Sequence, residues 1–562
     1  GVNALGAATT TNNSSAFGNN ALAVNTANGN DAFGATALDS NTTGIGNSAF
    51  GGVSLTANTT GSRNAAFGES ALAANTTASD SSAVGYNALT LNTGTSNSAF
   101  GSGALGANTT GTPNDAFGYL ALATVTTAGG NAAFGWGALN ANTAANNSSF
   151  GNTSLNSNTT GIQNCAFGRS ALSLNTTSSA SSAFGFQALV NSTGSDNSAF
   201  GANALDANTT GVGNSAFGSG ALGAVTTSSN NSAFGIQALL VNTGGANSAF
   251  GANALDSNTS GANNCAFGSS ALQANTTADN NSSFGTNSLL LNTTGNDNCA
   301  FGGSALSANT TGLSNSAFGA SALASNTVGN SICAFGFAAL STNTASDNNA
   351  FGSNALDANT SGTQNNAFGK NALGAITTGN ECSAFGHNAL ILCTGVNNSA
   401  FGAFSGDAIT SGTGNSAFGE NALGAATTGA DSVAVGRAAG LALTTGGTCT
   451  FLGATADTSL ATAANSTALG FGASVNASNI IVLGNASVTL VRNGSTNTVD
   501  FGNSSFIWLN GWFNNVRVTA DNGLIFTNQT DGAGIGAGTI TNAPSAGNPT
   551  IWVRIQVNGA NR

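Results

Sequence analysis

Methionine is absent from the 562-residue chain, proline occurs three times, histidine once, and charge is scarce: eight basic and twenty acidic residues. Each shortage excludes something. Eight cations in a chain of net charge −12 cannot neutralise a run of phosphates, which excludes a nucleic-acid partner. One histidine, His387, leaves little material for acid–base catalysis or a metal centre. No apolar run approaches the ~20 residues that cross a bilayer, so no membrane insertion is expected. No cofactor motif is present. Ordinary domains are about a quarter charged; at 5% this chain is either low-complexity or built from a regular repeat.

What the chain does contain decides between these. The tripeptide Ala-Phe-Gly recurs with its aromatic at Phe17, Phe33, Phe50, Phe67, Phe100 and onward to Phe401 and Phe418, in steps of 16 or 17 residues. Val84, Val435, Leu452 and Leu469 substitute in register, and Leu483 follows after a step of 14. A leucine stands five residues after each of the first 23 of these positions, as in Leu22, Leu172 and Leu222. Asn recurs eight residues after the Phe (Asn25, Asn41, Asn58) and often three before it (Asn47, Asn164), and the former usually opens an Asn-Thr-Thr-Gly turn. Disorder offers no reason to hold Phe and Leu in fixed phase over hundreds of residues.

A step this short suits no helical hairpin and predicts two short strands and two turns per coil. Asn-Ser-Ala-Phe-Gly reads as one strand, with Ser and Phe on one face and Ala on the other. Ala-Leu-x-Ala-Asn reads as a second. The expectation is an all-β, parallel β-solenoid of about 29 coils of 16–17 residues over residues 1–490. Its core would hold the Phe and Leu ladders, for example Phe17 with Leu22, Phe167 with Leu172 and Phe217 with Leu222. The Asn rows would form hydrogen-bonded ladders. So thin a rod is expected to need burial between chains, hence an oligomer. A longer period of 50 residues groups the coils in threes, with one step of 51 where Asn292-Thr293-Thr294-Gly295 carries an extra residue.

The unit Asn-Ser-x-Ala-[Ile/Phe]-Gly resembles the head repeat of YadA-like trimeric adhesins, most closely at Asn465-Ser466-Thr467-Ala468-Leu469-Gly470 and at Ile481-Val482-Leu483-Gly484. The longer-looped coils also resemble repeats of phage tail fibres. The resemblance implies a β-roll and a homotrimer or higher fibre assembly. Residues 491–562 change character: three of the four tryptophans (Trp508, Trp512, Trp552) fall there, in short alternating runs that read as strands. They are expected to be a β-rich trimerisation or attachment region. The stretch around Pro544 and Pro549 resembles the closing segment of phage fibre proteins rather than an autotransporter barrel. Gly1-Val2-Asn3-Ala4-Leu5 enters the repeat in mid-coil, so further coils are expected to precede it.

Candidate sites are few. Cys165, Cys265, Cys299 and Cys333 replace the Ser two before the Phe and read as buried free thiols, out of disulfide reach of one another. Metal binding is not expected of them or of the recurring Asp206, Asp256 and Asp357. Tyr86, Trp136, Phe186, Phe337 and His387 share the second position after the Phe, three coils apart or a multiple of that, and read as an inter-chain packing row or a ligand stripe. The turn threonines raise an ice-binding reading, and Asn41-Thr42-Thr43 and Asn108-Thr109-Thr110 are glycosylation sequons. The leading expectation is a non-enzymatic extracellular or virion-surface fibre, a phage tail or appendage fibre presenting a receptor-binding surface. A cell-surface adhesin or filament subunit that binds a glycan or protein receptor is the alternative, and an ice-binding solenoid the third. A carbohydrate-cleaving solenoid would need paired carboxylates in adjacent coils, which the sequence does not offer.

Overall fold

The structure, a computed structural model, describes residues 2–6, 13–487, 556–557 and 560–561. It divides into Gly1–Val488 and Thr489–Arg562. In the second unit the described residues form one short antiparallel pair, Gln556–Val557 with Ala560–Asn561. Trp508, Trp512 and Trp552 lie outside the described residues.

The first unit is a parallel β-solenoid. Each coil contributes one strand of about three residues, most often Ser-Ala-Phe, and among the described residues 29 of them stack in one parallel sheet, giving about 28 turns. Register is Phe on Phe: Phe200 lies against Phe217, and Phe217 against Phe234. At a strand spacing of about 4.8 Å the stack is roughly 130 Å long.

The second expected strand is absent from the described coils before residue 457. Ala-Leu-x-Ala-Asn is a turn, and its leucine sits in the left-handed region, at φ 50° in Leu172 and 52° in Leu222. That conformation costs an L-residue about 1–2 kcal/mol. Complete burial of the side chain returns about 1.5–3 kcal/mol, so the leucine is held there by the core it fills. Because the segment turns, Ala221 and Leu222 both point inward although they are neighbours. Among the described residues of the coils a second strand appears only in Asp457–Thr458 and Ser474–Val475, which pair with each other.

The strand faces alternate as the sequence indicates, but the inward face is the alanine one. Ala166 and Ala216 are fully buried, whereas Phe167 and Phe217 are only partly so, and Phe17 is 72% exposed. Phe17, Phe167 and Phe217 are therefore not core residues, while Leu22, Leu172 and Leu222 are. The reason is space. Leucine and two alanines per coil, with two asparagines, already fill the lumen. One exception tests this account. Phe451 takes the alanine position and is fully buried, and the leucine position it meets is Gly440, where an added Cβ would lie 2.8 Å from the Phe451 ring.

The glycine after the Phe is fixed by the stack itself. Gly218 has φ +141°, and a Cβ there would overlap the carbonyl of Gly235 in the next coil.

Two asparagine ladders run inside the turns. In the row three before the Phe, Asn47 N–H donates to Asn30 Oδ1 at 2.9 Å, and Asn47 Nδ2 donates to the Gly61 carbonyl at 2.8 Å. In the row eight after, Asn58 Nδ2 donates to Asn41 Oδ1 at 2.7 Å and to the same Gly61 carbonyl at 2.9 Å. The ladders thus satisfy buried turn carbonyls that no strand reaches.

Candidate functional site in the ladders outside the coils

The displaced phenylalanines form the dominant surface feature. From Phe100 to Phe418, twenty rings stack without a break, with neighbouring centroids 4.4–4.9 Å apart and planes within 8°. Phe33, Phe50 and Phe67 form a shorter run before Val84 interrupts. Strand spacing matches ring stacking distance, so one Phe per coil is self-complementary along the axis. Each ring's faces are covered by the rings above and below. What solvent meets is a strip of ring edges.

The residue two before the Phe shares this outward face. Cys165, Cys265, Cys299 and Cys333 are free and half-buried there, so the inward, buried placement expected for them is corrected. Burial pushes the thiols of Cys165, Cys265 and Cys299 up.

The second position after the Phe makes a separate exposed row. Trp136 is 54% and Phe337 61% exposed, and Tyr86, Phe186 and His387 are exposed beside the same strip. The structure places them in one row but does not bring them together. Three of them meet a neighbour in an adjoining coil instead: Trp136 stacks on Tyr119 at 6.4 Å, Arg169 sits 5.2 Å over the Phe186 ring, and His387 meets Phe404 edge-on at 5.3 Å. Unlike the strip, this row leaves aromatic faces uncovered.

The third row is threonine, one residue after the ladder position eight beyond the Phe, and it is unbroken from Thr26 to Thr444. In most coils its hydroxyl donates to the carbonyl of the next threonine, as Thr42 Oγ1 does to Thr59 at 3.0 Å and Thr209 Oγ1 to Thr226 at 2.9 Å. Among the described residues no such rung leaves Thr76, Thr126, Thr176 or Thr226. Each of these faces a coil whose turn is one residue shorter, such as Asn92-Thr93-Gly94. At Thr276 the facing turn has the extra residue, and the rung is present at 3.0 Å. The 50-residue period is thus visible as a regular break in the ladders, and the 51-residue step as its repair.

The remaining candidates are dispersed. Asp206 and Asp357 are part-buried, three or more coils from the next Asp of their row, and desolvation raises both carboxyls. Asp256 lies in the same row. No group of three metal-ligating side chains occurs among the described residues. Asn41 and Asn108, the sequon asparagines, are buried in the ladder and hydrogen-bonded through Nδ2.

Sequence reading missed one juxtaposition. Cys382 and Cys393 replace the two ladder asparagines of a single coil, and both are buried. Their spacing of eleven residues gave the signal, since it spans the two inward rows. No helix among the described residues is long and apolar enough to cross a membrane. No protein-family model matches the chain, and no curated protein matches it.

Proposed function

We propose that the protein is a non-enzymatic structural fibre, extracellular or on a virion surface, in which copies of the chain close over one another's phenylalanine strip as a homotrimer or higher assembly. The strip carries this reading. If about a third of each ring is open, twenty rings expose roughly 1,000–1,600 Å² of apolar surface per chain, against about 800 Å² per partner in a standard interface. Isolated apolar patches on monomers are smaller than that. The repeat matches the occupant, because only another stack with the same strand spacing presents ring edges at the same interval. The solenoid then supplies length, and residues 491–562 are read as the registration or attachment region of a tail or appendage fibre.

Sedimentation equilibrium on the full chain tests this, with a trimer or larger species expected. A monomer at micromolar concentration would sink it. Phe200→Ser, Phe217→Ser and Phe234→Ser together should weaken assembly while leaving the coils intact.

The exposed aromatic row favours a second reading, a cell-surface adhesin whose shaft binds a glycan. The exposed rings of Tyr86 and Phe337, and the face of Trp136 turned away from Tyr119, suit sugar rings, which stack on aromatic faces rather than edges. Binding to a neutral-glycan array that is lost in Trp136→Ala would place the activity on the shaft. The ice-binding reading rests on the exposed threonine row and is tested by thermal hysteresis.

A further inference from the structure

We propose that Cys382 and Cys393 form an intrachain disulfide inside the solenoid. Both lie in the coil whose strand is Ser383–Phe385. Cys382 takes the place of the asparagine three before the Phe, Cys393 that of the asparagine eight after it. In an ordinary coil these two side chains converge on one carbonyl, as Asn47 and Asn58 do on Gly61. Here the two thiols converge on Gly395: Cys382 Sγ lies 3.3 Å and Cys393 Sγ 3.8 Å from its oxygen. The thiols also interact with each other. The surroundings are apolar, because Ile376 and Ile409 occupy the Cys393 position in the coils on either side, and both are buried. Asn398 Nδ2 reaches Cys393 Sγ at 3.4 Å from the remaining side.

The chemistry balances with a low-molecular-weight disulfide as oxidant. The Cys393 thiol beside it favours ionisation of Cys382, while the same contact and burial hold Cys393 protonated. Cys382 sulfur attacks one sulfur of the small disulfide, breaking its S–S bond and releasing one thiolate, which takes up a proton. Cys393 sulfur then attacks Cys382 sulfur in the mixed disulfide and displaces the second small thiol. The pair loses two protons and two electrons, and the small disulfide gains them. Since both sulfurs are buried, exchange takes place while this coil closes during folding. Oxidation also removes both S–H donors from the Gly395 carbonyl, so the bond should be reduced more readily than a surface structural disulfide.

The sequence provides a clean assay. Between Lys370 and Arg437 there is no other tryptic site, and the peptide Asn371–Arg437 contains these two cysteines and no others. The full chain is refolded with oxidised glutathione, denatured, alkylated and digested. The expected peptide is about 2 Da lighter than its reduced form and takes up no alkylating group. The peptide Ser170–Lys370, which holds Cys265, Cys299 and Cys333, should be fully alkylated in the same digest. Two alkyl groups on Asn371–Arg437, or a retained glutathione, would overturn the proposal. As a second measurement, the oxidised chain should melt several degrees above the reduced one, and Cys393→Asn, which restores the ladder residue, should abolish that difference.

Discussion

The asparagines show how a residue's cost depends on its rung. Asn75, Asn108, Asn208 and Asn359 are buried, and among the described residues their Oδ1 atoms have no partner. Asn108, Asn208 and Asn359 each face an apolar residue in the next coil: Val125, Val225 and Ile376. Asn75 faces Asn92 across a shortened turn. An apolar residue just before a short turn therefore shifts the orphaned acceptor by one rung and does not add another. Asn75→Val should be mild for that reason. Asn58→Val breaks the ladder in its middle, strands Asn41 Oδ1 and leaves Asn75 Oδ1 as it was. It should cost about 1–3 kcal/mol more than Asn75→Val, read as the difference in urea unfolding free energy. Equal costs would mean that the ladder bonds contribute no net stability. These rows were legible in the sequence because Asn recurs in phase, and the bonds match that reading. The direction of the Phe was not, because alternation fixes which residues share a face and not which face is enclosed. Phe451 shows what decides it: the ring goes inside only where Gly440 makes room.

At the scale of the coil, the sequence showed the period and the turn chemistry but suggested one strand too many. Ala-Leu-x-Ala-Asn alternates like a strand, yet Leu222 at φ +52° breaks the pleat, and a branched residue in that conformation is invisible to pattern reading. The two-cysteine coil was legible only once both asparagine rows were known to converge on one carbonyl. The same logic yields a prediction about turns. Inserting one threonine after Thr93 converts Asn92-Thr93-Gly94 into the longer turn found at Asn292–Gly295. It should restore the rungs from Asn75 and Thr76, as Asn292 Nδ2 reaches Asn275 Oδ1 at 3.0 Å. The inserted chain is expected to melt at or above the parent temperature, by roughly 1 kcal/mol of added stability. A drop would show that the short turn is required by something other than the ladders.

For the whole molecule, low charge follows from stacking, since like charges repeated at every strand spacing would repel. The acids that are present supply a pH dependence. Desolvation raises the carboxyls of Asp206, Asp357, Asp407 and Asp457, opposed only in part by backbone N–H groups. A raised carboxyl means that the folded chain binds the proton more tightly than the unfolded one. Stability is therefore gained as pH falls through the raised values toward the ordinary aspartate range, and it is flat above them. Arg63 holds Asp80 below its usual range, which works the other way, but that pair lies on the solvent-exposed surface and contributes little. The melting temperature should rise between pH 7 and about pH 4, and the rise should shrink in the Asp206→Asn, Asp357→Asn double variant. A steady fall on acidification would contradict the desolvation account.

The uniformity of the phenylalanine strip has a further consequence for assembly. Two copies displaced by a single coil would still match ring for ring and lose only about one-twentieth of their contact. Alignment along the axis is thus nearly degenerate, and a fibre held by the strip alone would have ragged ends. In the proposed assembly the irregular positions would lift that degeneracy: Val84 interrupting the rings, the short turns every third coil, and the exposed Trp136 and Phe337. They would act as fiducial marks on an otherwise unmarked ruler, and a chain made perfectly regular should assemble more readily but with its copies out of step.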